Sequence, residues 1–291
     1  MSTAATIQAV VPPISLRRRF TDRIMTGAAI LTVVIVLAPL VAIFAYLVYR
    51  GVGSLNWAFL TQIPKPVGEV GGGMANAIVG SILILCIASV IGVPFGVGAG
   101  IYLAEFGRNR LGSGIRFTAD VLNGVPSIVM GIVAWSILVR GHGFSALAGG
   151  VALAIMMVPT VARTTEEMLL LVPRALREAS YGLGVPLWRT TLSVTLRTAT
   201  SGVITGIMLA FARVAGETAP LLFTALGNDY WNLKVNQPTA ALSLQIYKYA
   251  LSPYDDWHRQ AWAGALVLII LIVTAVGAVR YVVRRGSFGM A

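Results

Sequence analysis

Charged residues cut this chain into long apolar runs. No charge falls between Arg23 and Arg50, a run of 26 residues, none between Glu69 and Glu105, and none between Asp120 and Arg140. His142 is the only titratable group over 141–162, residues 198–228 carry only Arg213 and Glu217, and 260–279 carry no charge. A helix needs about 20 apolar residues to cross the hydrocarbon core of a bilayer. The pattern predicts six spans, at about 25–48, 75–104, 119–139, 145–169, 198–226 and 259–282. Strands of a membrane barrel would alternate polar and apolar positions. These runs do not alternate, so the predicted fold is an all-α integral membrane protein of six transmembrane helices. The predicted organisation is a short N-terminal segment, 1–24, a six-helix domain, 25–285, with its core at 75–285, and a tail, 286–291.

Composition agrees with this reading. Of the 291 residues 57% are hydrophobic and 11% charged, under half the charge of an average soluble domain. The mean hydropathy is +0.81. An ordinary soluble enzyme, a disordered chain and a fibrous protein are excluded on these grounds. The net charge of +11 raises the question of nucleic acid, but its distribution answers it. With both termini on one side, that side carries 15 of the 22 Lys and Arg residues, the other carries 6, and Arg213 remains in the membrane. Cytoplasmic loops are enriched in positive charge, so both termini are expected to be cytoplasmic, with no nucleic acid involved. The Arg17–Arg19 cluster before the first run resembles a secretory signal. That run is too long for a signal core and no small-residue cleavage site follows it, so a retained helix is expected. Residues 1–16 are expected to be disordered. Cys86 is the only cysteine, which excludes an internal disulfide.

Catalytic and energy-supplying motifs are missing. There is no phosphate-cradling G-x-x-x-x-G-K-[ST] loop, no H-E-x-x-H, and no G-x-S-x-G nucleophile elbow. His142 and His258 show no ligand spacing, and no metal site is predicted. The chain is therefore not expected to be an enzyme or to bind a cofactor. Uphill movement of a solute would draw its ATP chemistry from another subunit. The 31 glycines fall mostly in apolar runs, where they allow close helix packing. Pro94, Pro126, Pro159 and Pro220 lie within the spans and can kink them. Asn76 and Asn123 read as interhelical hydrogen-bonding residues or as the lining of a polar path. Loops 51–73 and 227–258 are expected on the outer side. The second is rich in aromatics, among them Tyr230, Trp231, Tyr247, Tyr249, Tyr254 and Trp257, which read as an interfacial belt or as a docking surface.

The longest cytoplasmic connection is 170–197. Pro173 can open a helix, and Leu176, Ala179, Leu183 and Leu187 then follow at spacings of 3, 4 and 4. Gly182, Gly184 and Pro186 are stop signals. A short amphipathic helix outside the membrane results. Periodicity leaves open whether it lies on lipid headgroups or in the groove of a protein partner. The sequence Glu178-Ala179-Ser180-x-x-x-Gly184 resembles the EAA loop of permease subunits in type I ATP-binding-cassette importers. Val194 and Leu196 continue the pattern, with Arg197 where proline is usual in the broad family. The resemblance implies a coupling helix, 174–188, that inserts into a cleft of an ATPase subunit. It also implies coupling roles for Arg177, Glu178, Ala179, Ser180 and Gly184.

The predicted fifth span contains a charge pair. Arg213 lies about 22 Å along it at 1.5 Å per residue. A buried arginine costs about 2.5–3.5 kcal/mol on insertion scales. Glu217, four residues on, would share its helical face. A self-satisfied ion pair is one reading. The other is a polar path, in which the arginine fork meets a tetrahedral oxyanion through two N–H donors. Glu217 would hold Arg213, or accept a hydrogen bond from a protonated oxyanion such as hydrogen phosphate. Sulfate has no such proton. The stretch Ala212-Arg213-x-x-Gly216-Glu217-Thr218-Ala219-Pro220 resembles the PstA-type permeases of phosphate importers, as do 158–167 and Pro173–Trp188. That resemblance covers roughly 75–285. It implies a phosphate path containing Arg213, Glu217, Thr218 and Arg163. Only the resemblance singles out Arg163, which otherwise reads as a topology charge paired to Glu166 or Glu167. The implied partners are a homologous PstC-type permease, two ATPase subunits that hold ATP-Mg, an extracytoplasmic phosphate-binding protein and membrane lipid. The rivals are a permease for sulfate, molybdate or another oxyanion, a stand-alone secondary transporter or channel, and a membrane-embedded enzyme.

Overall fold

The structure, a computed structural model, describes residues 16–288. The expected disorder of 1–16 falls almost wholly outside that range, as do the last three residues of the tail. The chain divides into two compact units, Met1–Tyr49 and Arg50–Ala291. Among the described residues no strand forms, and the backbone is helical apart from turns, loops and two isolated bridges.

The first unit holds α1 (Leu16–Val52), 37 residues long. It starts nine residues before the predicted span because Arg17, Arg18, Arg19, Asp22 and Arg23 continue the helix as a polar extension.

The second unit is built around α3 (Ala75–Glu105) and α6 (Ala146–Leu170), with α2 (Trp57–Thr61) in the loop before α3. The two long helices meet along glycines. A β-carbon at Gly92 would lie 3.2 Å from the Met157 Cβ, one at Gly96 2.6 Å from the Val161 Cβ, and one at Gly100 2.5 Å from the Thr165 Cβ. Glycines at four-residue intervals put one face of α3 in backbone contact with α6, as expected where no hydrophobic effect drives helices together in lipid. The buried core around this seam includes Ile84, Leu85, Leu153, Met157, Val161 and Val214. Gly96→Val should therefore force the pair apart. The expected cost is about 1–3 kcal/mol of overpacking or more. Gly98→Val is the control, since a β-carbon there meets nothing within 4 Å. Thermal unfolding of the purified protein in detergent should show a lowered midpoint for the first and little change for the second.

Two of the predicted spans are broken. The third is α4 (Arg110–Gly124) followed by α5 (Ser127–Ala134) and a π-helical turn, Trp135–Val139, with a bend of 107° between the halves. The break falls at Val125, which is extended with φ −70° and ψ 132°. Its successor Pro126 disfavours the helical conformation for the residue before it. After α7 (Arg174–Gly182), α8 (Leu187–Thr190) runs through a second π-helical turn, Thr191–Thr195, into α9 (Leu196–Ala215). There the helix stops, and α10 (Ala219–Thr224) is a separate piece. The predicted continuous helix over 198–226 is interrupted between Ala215 and Ala219, with Gly216 as the cap of α9 and Pro220, which has no N–H for the carbonyl of Gly216, in the first turn of α10. Among the described residues five helices are long and apolar enough to cross a membrane, and the bent pair gives a sixth if it acts as one span. The last two elements are α11 (Leu242–Ala250) and α12 (Asp255–Phe288).

The loop after α10 is an ordered cap rather than an irregular connection. The Asn76 amide donates to the Asn228 carbonyl at 2.7 Å, and the Leu242 N–H donates to Ser81 Oγ at 2.7 Å. Tyr249 is buried and stacks on Trp257 at 4.4 Å, with Tyr254 edge-on to the same ring at 5.4 Å. Burial pushes the Tyr249 phenol above its ordinary pKa. Tyr249 and Trp257 are thus the packed interior of the cap. Of the aromatics of this region, Tyr230, Trp231, Tyr247 and Tyr254 remain exposed.

Candidate translocation site and coupling surface

Arg213 sits in the last turn of α9, where a cation is favoured by the partial negative charge of the helix end. It is exposed. Gly216 caps the helix, with its N–H on the Arg213 carbonyl at 3.3 Å. Glu217 lies beyond the cap, so the predicted sharing of one helical face with Arg213 does not hold: the i, i+4 relation requires a helix that Gly216 and Pro220 have already ended. Arg213 is accordingly at a helix end and not midway along a longer helix. Among the described residues, neither its guanidinium nor the Glu217 carboxylate has a hydrogen-bond or ion-pair partner. The self-satisfied pair is thereby excluded. The break itself is pinned, because Ser243 Oγ on α11 donates to the Glu217 carbonyl at 2.9 Å. Thr218 precedes α10, and its carbonyl accepts from the Leu222 N–H at 3.0 Å. The break therefore places Arg213 in the last turn of α9 and Glu217 and Thr218 in the irregular link to α10, close together along the chain at the junction of two helices.

Arg163 is occupied. Its Nη1 meets Glu166 Oε2 at 2.8 Å and its Nε meets Asp120 Oδ1 at 3.2 Å. Glu166 is 3% exposed, and its other oxygen takes Arg116 Nε at 2.6 Å. Arg116 also donates to the carbonyls of Gly107 at 2.8 Å and Leu103 at 2.9 Å, at the end of α3. One buried carboxylate thus joins two arginines and ties α3, α4 and α6 together. Of the two acids beside Arg163 it is Glu166 that pairs, while Glu167 is exposed. Near this network Thr160 Oγ1 donates to Asn123 Oδ1 at 3.0 Å, which makes Asn123 a link between α4 and α6.

The predicted surface helix forms as α7, opened by Pro173. Gly184 has φ +75° and open space around its α-carbon, so the backbone conformation alone asks for glycine there. The residues of the EAA-like motif divide. Glu178 and Ala179 are exposed. Arg177 and Ser180 turn inward: Arg177 pairs with Glu105, and Ser180 Oγ shares a 2.8 Å hydrogen bond with Thr190 Oγ1. The helix ends at Gly182, so the expected stripe breaks before Leu183 and Leu187. Both are nonetheless exposed and form an apolar surface with Tyr181 and Trp188, of which Leu183 is 83% and Trp188 64% accessible.

A family model described as the binding-protein-dependent transport system inner membrane component matches residues 96–287. The phosphate transport system permease protein PstA of Yersinia pestis is 45% identical over 258 residues, 88% of each chain. This chain belongs to the PstA permease family. A more distant PstA relative, PstA 1 of Mycobacterium tuberculosis, is 37% identical over 299 residues, covering 98% of this chain and 97% of its own. The fold is that of solved importer permeases. A chain of the MetNI methionine ABC transporter in an inward-facing conformation superposes with a TM-score of 0.60 at 19% identity, covering 73% of this chain and 96% of that one. Membership of the PstA family makes the chain a multi-pass membrane protein and a permease subunit. Reasoning from sequence missed Glu105 and Asp120, which only marked the edges of apolar runs, and Arg116, which only entered the count of cytoplasmic charge. Their one available signal was that charges at span ends recur near one another when antiparallel helices pack.

Proposed function

We propose that this chain is one of two permease subunits of an ATP-driven importer that carries inorganic phosphate into the cytoplasm. Its relatives carry the name of phosphate transport permeases, and the observation that carries the reading is the helix break at Gly216–Pro220. That break offers an arginine and, four residues on, a carboxylate, neither of which has a hydrogen-bond or ion-pair partner among the described residues. Arg213 supplies two N–H donors to a tetrahedral oxyanion. Glu217 accepts a hydrogen bond from the protonated oxygen of hydrogen phosphate and limits the net attraction, so that the ion leaves. Thr218 adds a hydroxyl to the same turn. Arg163 enters the path by exchanging the exposed Asp120 for the anion while Glu166 holds its other end. Both termini are cytoplasmic by the bias of Lys and Arg. A PstC-type permease completes the path, two ATPase subunits that bind ATP-Mg dock on α7, and an extracytoplasmic phosphate-binding protein delivers the substrate. ATP-driven closure pushes on α7, and the two permeases alternate access to the site.

Phosphate against sulfate uptake tests the assignment of Glu217. In vesicles holding the assembled complex, Glu217→Gln should reduce the preference for phosphate by about tenfold, the weight of one charge-assisted hydrogen bond. An unchanged preference would remove Glu217 from substrate selection.

A further inference from the structure

Among the described residues, the ion pair of α7 is Arg177 with Glu105, at 2.6 Å between Nη1 and Oε1. The same guanidinium donates from Nη2 to the carbonyl of Leu169 at 2.7 Å. Glu105 is the last residue of α3, and Leu169 lies in the last turn of α6. One planar group therefore fixes the surface helix to both central helices. The side chains are 16% and 5% exposed, so separating them leaves a charge uncompensated in a poorly solvated place. The chain itself joins α6 to α7 through Leu171-Val172-Pro173, where Val172 is buried in a cluster with Leu169, Ala199 and Val203, and the far end of α7 is tied to α8 by the Ser180–Thr190 hydrogen bond. The outer face of α7, with Glu178 and Ala179, points away from the pair, and the exposed Tyr181, Leu183 and Trp188 extend that surface.

We propose that the Arg177–Glu105 pair is a strut that makes α7 and the cytoplasmic ends of α3 and α6 move as one body, so that displacement of α7 becomes displacement of the transmembrane helices. Glu105 and Arg177 are then positioning residues for transport, and Arg177 acts inward on the permease instead of outward on the ATPase. The role rests on the docking of an ATPase at α7. Without the strut, α7 loses its charged tie to α3, and a push on it reaches the transmembrane helices only through the packed Val172 connection and the Ser180–Thr190 contact. The glycine seam between α3 and α6 carries the motion onward.

The test uses the assembled complex in vesicles, in a Cys86→Ala background that removes the chain's one cysteine. Arg177→Cys with Glu105→Cys should retain the bound ATPase and its ATP hydrolysis but lose about tenfold in phosphate taken up per ATP. A short thiol-to-thiol cross-linker between the two cysteines should restore most of that ratio. Three results would overturn the strut: an unchanged ratio before cross-linking, hydrolysis falling in step with uptake, or uptake abolished by the cross-link. A second measurement needs no cargo. Spin labels at Leu183→Cys and Phe95→Cys should keep one separation through the ATP cycle, and should change separation with nucleotide once Arg177→Ala is added. A nucleotide-dependent separation without that change would also overturn it. Failure of the unaltered complex to take up phosphate counts against the proposed cargo, and the label separations then decide the strut on their own.

Discussion

Arg213→Gln abolishes ATP-driven phosphate uptake and leaves the complex assembled. The expectation rests on what Arg213 does not touch. Its guanidinium has no protein partner among the described residues, and it is exposed at the end of α9. Its removal breaks no internal ion pair, so folding should change little, within about 0.5 kcal/mol for an exposed position. An oxyanion held by two charge-assisted hydrogen bonds, each worth about 1.5–3 kcal/mol, loses both. Transport should fall by about a hundredfold or more. Arg213→Lys keeps the charge but not the fork, and should fall between the two. The check is labelled phosphate uptake into vesicles, beside co-purification of the ATPase. Normal uptake by Arg213→Gln would leave the residue as a neutraliser of the α9 dipole and nothing more.

Glu166→Ala should destabilise the permease more than any other single charge removal. Glu166 is 3% exposed and compensates both Arg116 and Arg163. Removing one partner of a buried pair costs about 3–5 kcal/mol, because the charge left behind stays poorly solvated. Asp120 still holds Arg163, and two carbonyls still hold Arg116, so the arginines remain fixed beside each other with their mutual repulsion uncompensated. Glu167→Ala, one residue away on the exposed side of α6, should be close to neutral. Membrane abundance and thermal midpoint in detergent should separate the two variants clearly. Equal effects would mean that the network does not hold the α3, α4 and α6 ends together.

Much of this architecture could be read from the chain because lipid imposes a simple rule. Apolar runs of sufficient length become helices, and 75–104 and 145–169 were placed to within a residue of α3 and α6. The surface helix was legible from Pro173 and Gly184, whose backbone constraints are local. Both broken spans were hidden by the same rule, since hydropathy counts apolar residues and ignores missing N–H groups. Pro126 and Pro220 read as kinks that a membrane helix tolerates, yet each separates two pieces. The error carried into the site, since the shared face of Arg213 and Glu217 assumed a helix running through Gly216. Facing on α7 was equally out of reach. Motif resemblance treats Arg177 and Ser180 as part of one docking surface, whereas Glu105 and Thr190, distant in sequence, draw both inward. Arg163 shows the reverse case, a residue that spacing could not single out and that the structure holds between Glu166 and Asp120.

The measurement that bears most directly on the phosphate-permease assignment is uptake by the complete assembly. Membrane vesicles would contain this permease with its co-purified second permease and ATPase, loaded with the phosphate-binding protein on the outer side. Phosphate should accumulate against a gradient, with a requirement for ATP and without competition by sulfate. An assembly that binds and hydrolyses ATP but accumulates no phosphate, or accumulates sulfate equally well, would contradict that assignment.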